Sequence, residues 1–266
     1  KNLAPFFCRF LFPIPYSLFP IPQIMILSNE GRSLSLRQST PDDAPILLRA
    51  YEDDSFIRLY RSNNAKLTEE QLRQTITKRT QRTPAEIGYL ELMLEHKQHG
   101  AIGVAALGDY SPLHKRAEYL IGLFDEQHRY AGYGIEATLL ILDLAFNTYH
   151  LNKVYSYVYD YNDFSHKNMI NLGFQHEGTL EEHHYSLREK RFVTLYINWM
   201  TVKRFRNGDK IQKMSQRLVG RDITQSPQVV KISAENRLPE DAGQRFLEGL
   251  RALANNTTEE SQTEES

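Results

Sequence analysis

The sequence predicts an α/β chain of the α+β kind, with a mixed, mostly antiparallel sheet and one βαβ unit. Three observations lead there. Between residues 33 and 202, short strand-like runs alternate with helical patterns. The runs 88 to 95, 100 to 108 and 116 to 124 follow one another through short loops, as an antiparallel meander does. Finally, "RYAGYGIEATLLILDLAF", residues 129 to 146, sets Gly132 and Gly134 at the mouth of a helix. Its Ile135, Leu139, Leu142 and Phe146 recur at helical spacing and bury one stripe.

Taken in order, residues 1–27 form a Phe/Pro-rich leader that repeats "LFPIP", and disorder is expected there. Pro13, Pro15, Pro20 and Pro22 argue against a membrane helix. Arg9 and the lack of a small-residue cleavage site argue against a secretory signal. Met25 is the expected natural start, and the chain is expected to be cytoplasmic.

"SLSLRQ" (33 to 38) reads as a strand. Thr40, Pro41 and two acids then open a helix. Thr68 and Gln71 form a capping box for the next. After the meander and the glycine-led helix, "KVYSYVY" (153 to 159) reads as a strand, and the strand–helix–strand run implies a parallel pair with a crossover. A shorter helix then ends at Gly173. Two last runs, reaching Val202, form a hairpin.

From Lys203 to Asp222 the chain carries seven basic residues against two acidic ones. Residues 204–266 read as a basic, then acidic tail, partly disordered, with a short helix at 239 to 254. A basic patch can touch RNA, but it is more often a solvated helix face, and no aromatic stacking surface accompanies it. Net charge over 266 residues is −1, so no global field points to nucleic acid. The lone Cys8 leaves the body without a disulfide, a cysteine-held metal or a thiol nucleophile.

Gly132 and Gly134 permit two chemical readings and one plain one. A helix start offers unpaired N–H groups and the positive dipole end, and glycine lets an anion approach closely. A phosphate seat follows. With Ala137 and Asp160 the same residues fit a dinucleotide fingerprint, but the repeated βα units that fold needs after Asp160 are missing. The plain reading is a strand-to-helix turn and nothing more.

Arg129, Gly132 and Gly134 meet the pattern Q/R-x-x-G-x-G/A, and "NDFSHKNMINLGFQHEG" follows with Asn162, Ser165, Leu172, Gly173, Phe174, Glu177 and Gly178. Together they resemble the GNAT superfamily of acetyl-CoA-dependent N-acetyltransferases, over roughly residues 34–203. The second block looks like that of ribosomal-protein alanine acetyltransferases, whereas "HKRAEYLIG" looks like the meander strand of spermidine N-acetyltransferases.

The resemblance implies helices on both faces of the sheet and an acetyl-CoA cosubstrate whose pyrophosphate lies on the amides of Arg129, Tyr130, Ala131, Gly132, Tyr133 and Gly134. It also implies that the strand ending Gly122, Leu123, Phe124 splays from its parallel neighbour, so that the pantetheine arm completes the gap. An N–H near Leu123 would then face the oxyanion, and Asn162 would bond the pantetheine region.

The chemistry needs a neutral amine and a proton for the departing thiolate. Glu118, in the strand leading to the splay, is the candidate general base, set against a plain ion pair with Lys115 or Arg116. Ser165 is the candidate hydroxyl for the thiolate, set against a helix-capping role. Many family members place a tyrosine four residues beyond it, where this chain has Met169.

His176, His183 and His184 match no ligand spacing, so no metal is expected. The acceptor is expected to be an amine, on a protein N-terminus or a small molecule. A non-catalytic CoA-binding or RNA-tethered module is the alternative. Homo-oligomer formation is left open.

Overall fold

The computed structural model describes residues 29–60, 67–130 and 132–226. The leader and the 239 to 254 helix lie outside them. Eight strands form one sheet: β1 (Asn29–Glu30), β2 (Leu34–Gln38), β3 (Leu90–His96), β4 (Gly100–Ser111), β5 (Arg116–Leu123), β6 (Lys153–Tyr159), β7 (Gln175–Ser186) and β8 (Arg191–Thr201). Their spatial order is β1-β2-β3-β4-β5-β6-β8-β7. Every neighbouring pair is antiparallel except β5 with β6, which is parallel. This is the mixed, mostly antiparallel sheet the sequence predicts.

Period-two alternation splits the side chains of each strand between two apolar layers. On one face lie α1 (Ala44–Glu52), α2 (Asp54–Tyr60) and α3 (Glu69–Thr80), whose Leu47, Phe56, Leu72 and Ile76 pack with Met93 and Val104 of the sheet. On the other lie α6 (Tyr133–Asp143) and α7 (Asp163–Leu172), with Leu139, Leu140, Phe146, Met169 and Leu172 against Leu92, Ala105, Tyr119 and Val154. The chain also forms two short helices, α4 (Pro84–Ile87) beside β4 and α5 (Glu126–Tyr130) beside α6 and β5.

The capping signals act as expected at α3, where the Thr68 side chain accepts from Gln71 N and Gln71 returns a bond to Thr68 N. Thr40 and Pro41 instead open a one-turn 3-10 helix, from which α1 continues at Ala44. Asp43 turns back there to take both arms of Arg37 at 2.7 Å. The helix read from 133 to 149 is α-helical only to Asp143, and widens into a π-turn from Leu144 to Thr148, closed by Tyr149 N to Leu144 O at 2.9 Å.

The largest departure concerns the stretch expected as the start of a tail. Residues after Thr201 fold into α8 (Val202–Arg206) and α9 (Asp209–Leu218), and Phe205, Ile211 and Val219 are buried in the same core as α6. Basic composition masked an apolar stripe: Ile211, Met214 and Leu218 lie on one face of α9, the basic residues on the other. Arg221 fastens this end to Asp143 at 2.6 Å and to the carbonyl of Glu30 at 2.8 Å.

Candidate active site

β5 and β6 pair at only three positions, Arg116 with Lys153, Ala117 with Val154 and Glu118 with Tyr155. Beyond Glu118 the strands part, although β5 stays paired with β4 as far as Leu123. A cavity of about 330 Å³ fills the opening, bordered by Leu120, Ile121, Gly122 and Leu123 on one side and Ser156, Tyr157 and Val158 on the other. The strand geometry dictates which backbone groups face it. Phe124 N bonds Ile102 O of β4 at 2.9 Å, so the alternate N–H groups of Leu123 and Ile121 point toward the opening. A buried amide left this way requires a partner.

At the wide end of the opening stands α6. Gly132 is its N-cap, left-handed at φ 84°, and no side chain caps the turn. The N–H groups of Tyr133 and Gly134 lie in the first turn, where a helix has no carbonyl of its own to offer. A Cβ added at Gly132 would meet nothing within 4 Å, and one at Gly134 only Leu123 at 3.9 Å. The glycines therefore keep open space in front of a helix N-terminus, which is the geometry an anion needs. Thr138 ties the turn to the strand, donating to Gly134 O at 2.6 Å and meeting Tyr119 Oη at 2.7 Å.

Glu118, the last residue of β5 to pair with β6, is half-buried on the α1–α3 face in register with Tyr155, next to Tyr119 of the cavity wall but not itself a lining residue. Arg116, one of the two alternative ion-pair partners, bonds Asp109 and Tyr155 Oη, the latter at 3.0 Å. Tyr157 stands beside Glu118 at the cavity edge. Burial raises its phenol pKa, and the Glu118 and Asp109 carboxylates add to the rise, so Tyr157 is a neutral O–H at physiological pH.

The third wall is α7. Asn162 caps it by accepting from Ser165 N at 3.3 Å, and Asn162, Ser165, Asn168, Met169 and Leu172 all border the cavity. Opposite, α2 contributes Phe56, Leu59 and Tyr60 as a roof. Phe56 packs so closely on β5 that a Cβ on Gly122 would lie 2.4 Å from its ring. α2 is also joined to the far strands. Tyr161, stacked on Tyr159, donates to Arg58 O at 2.7 Å, and Arg58 pairs with Glu189 of the β7–β8 turn at 3.2 Å.

Of the residues the sequence singles out, Leu123, Arg129, Gly132, Gly134, Asn162 and Ser165 come together around one cavity. The others are placed differently. Phe124 turns its ring onto Phe56, 5.6 Å away, and its N–H to β4, because it follows Leu123 on the opposite side of the alternation. Tyr133 offers its amide to the seat but its ring to His96, 4.8 Å away. Arg129 and Tyr130 end α5, and Ala131 falls outside the described residues. Sequence reading missed Tyr119, Ser156 and the α2 roof. Only Ser156 carried a signal, as the one small polar residue among the tyrosines and valines of "KVYSYVY".

A sheet parted at its one parallel seam, with an uncapped glycine-led helix start bordering the opening and a carboxylate at the last paired position, defines a class of α/β protein with an open strand edge available to an extended ligand. Residues 33–175 match the acetyltransferase (GNAT) domain family, and the chain belongs to that family. It is an acetyl-CoA-dependent acyltransferase. It is 27% identical over 158 residues to the uncharacterized N-acetyltransferase YoaA of Bacillus subtilis (strain 168), covering 59% of this chain and 87% of YoaA. The fold is also that of the spermidine N-acetyltransferase of Vibrio cholerae solved with CoA and spermine, at TM-score 0.57 and 20% identity over 64% of this chain and 95% of that one.

Proposed function

We propose that the protein transfers acetyl from acetyl-CoA directly to a primary amine, a protein N-terminus or a small amine, with no covalent enzyme intermediate. The observation that carries this reading is the single cavity running from the Gly132–Gly134 turn along the parted edge of β5 to the neighbourhood of Glu118. Residues 119–123 span roughly 16 Å at about 3.3 Å per residue, room for an extended arm that exchanges hydrogen bonds with strand edges.

Acetyl-CoA supplies the activated thioester, and the chain does the rest. The first-turn amides of α6 hold the phosphate end. The Ile121 and Leu123 N–H groups supply donors along the arm, with Leu123 the assigned oxyanion donor. Asn162 lies where it can bond the arm from α7. Glu118, directly or through a water, removes the proton of the incoming amine, and Ser165 supplies one to the thiolate. A free α-amine, with a pKa of about 7.7–8.0 against about 10.4 for lysine, needs less help to reach its neutral form. The roof of α2 and the β7–β8 turn frame the acceptor side.

Calorimetric titration of acetyl-CoA into the full chain tests the reading, with Gly134→Trp alongside. Micromolar binding that the variant loses, followed by acetylation of a peptide N-terminus or a polyamine, is expected. Failure of the parent protein to bind would reduce the glycine turn to a structural one. Binding without transfer to any amine would favour a CoA-binding module.

A further inference from the structure

On the α7 side of the sheet the strip formed by β6 and β8 is apolar at Val154, Val158 and Met200. Two polar residues interrupt it. Ser156 is 7% exposed and borders the cavity one residue beyond the last β5–β6 pair. Asn198 is its register partner on β8 and is 0% exposed. Residues directly opposite on one face of an antiparallel pair have Cβ atoms about 4.5–5.5 Å apart, so the Asn198 amide is the immediate backing of the Ser156 hydroxyl. Packing alone would put a valine or leucine there.

Asn198 Nδ2 and Oδ1 and the buried Nδ1 of His166, on α7, make no hydrogen bond of good geometry, although Asn198 lies close enough to the His166 ring to act on its pKa as a hydrogen-bond partner. Such groups are rare in folded proteins, and each calls for a reason. His166 is wedged against Tyr196 at 4.7 Å and His176 at 5.7 Å. Burial lowers its pKa and His176 and Lys167 add to this, while Asp163 and Asn198 oppose them. At neutral pH it is then an uncharged ring with one N–H to donate. His176, exposed on β7, is the register partner of Asn198 on the other side from Ser156.

We propose that Ser156 donates a hydrogen bond to the sulfur of CoA as the thiolate departs, with Asn198 and His166 as positioning residues that fix the direction of its hydroxyl. A turn of the Asn198 amide, whose Nδ2 is unbonded in this structure, would set an N–H on Ser156 Oγ, occupy a lone pair and leave the hydroxyl hydrogen to turn into the cavity. The His166 ring, already close enough to Asn198 to act on it, would hold the amide in that sense by donating to Oδ1, and each bond in such a chain polarises the next. During transfer the C–N bond forms, the C–S bond breaks with its electron pair going to sulfur, and the amine proton passes to Glu118. Ser156 keeps its own proton and lends only the bond, while Ser165, across the cavity, supplies the proton that sulfur finally takes. This assignment rests on the acetyl-CoA reading of the cavity.

The test titrates the thiol of bound CoA by the ultraviolet absorbance of its thiolate, in the wild-type chain and in Ser156→Ala, Ser156→Thr and Asn198→Leu, with CoA binding measured in parallel by calorimetry. Wild type is expected to titrate below free CoA. Ser156→Ala and Asn198→Leu should move the midpoint up by about one pH unit, a tenfold loss of thiolate. The same two variants should lose about tenfold in kcat with KM for acetyl-CoA within twofold, and Ser156→Thr should restore both properties. CoA bound with equal midpoints in wild type and Ser156→Ala would overturn the assignment while leaving the acetyl-CoA reading intact. Failure of the wild-type chain to bind CoA would overturn that reading, and this assignment with it.

Discussion

The two edges of β5 are built for opposite ends. Toward β4 it is paired from Arg116 to Leu123, and the contact is so close that a Cβ on Gly103 would lie 2.5 Å from Gly122 O. Toward β6 it pairs at three positions and then leaves its backbone to a cavity. The first edge spends its hydrogen bonds on the fold, whereas the second leaves its own facing the cavity. Glycine marks the difference. At Gly103 and Gly122 it admits a neighbouring chain, whereas at Gly132 and Gly134 it faces open space.

Substitutions on the two edges should therefore fail in different ways. The largest effect is expected at the meeting point of the edges: Glu118→Gln should lower kcat by about 10²–10⁴-fold, the range of a lost general base, with acetyl-CoA affinity unchanged by calorimetry. An unchanged kcat would leave Glu118 as a structural carboxylate. Next comes the open edge. Gly134→Trp should weaken acetyl-CoA about a hundredfold, or about 2.8 kcal/mol, while its urea midpoint stays near that of wild type.

On the closed edge the pattern reverses. Gly103→Ala drives a methyl into backbone that cannot swing aside, and should cost about 1–3 kcal/mol in urea unfolding. A variant as stable as wild type would show that β4 and β5 can separate, and the contrast would collapse. Asn162→Ala, at the mouth of α7, should cost about 1 kcal/mol through its lost cap and lower acetyl-CoA affinity only modestly.

The smallest effect is a pH dependence remote from the cavity. Burial would raise the Asp43 pKa, but Arg37 and the Thr40 N–H more than offset this and hold it below the usual carboxylate value. A depressed carboxyl contributes stability above its unfolded pKa of about 3.9 and loses it as pH falls through the folded value. Denaturation curves from pH 5 downward should accordingly flatten in Asp43→Asn relative to wild type.

Much of this molecule is written locally. The capping box at Thr68, the meander, the glycine-led helix and the cap of α7 at Asn162 are short-range signals, since each depends on spacing along one segment. From these the sheet, the parallel seam and the glycine-led helix start could be placed before any coordinates. Sequence by itself determined that a bare helix start follows a β-strand, and that Asn162 and Ser165 open the next helix. Tertiary structure decided where β5 and β6 part, that Phe124 and the Tyr133 ring turn away, and that α2 roofs the cavity. It also buried the stripe of α9, which the basic residues around it had hidden. The same holds for Ser156 and Asn198, 42 positions apart, which become neighbours only through the β6–β8 register. Local propensity acts within a few residues, whereas pairing and burial join residues whose separation no local pattern records.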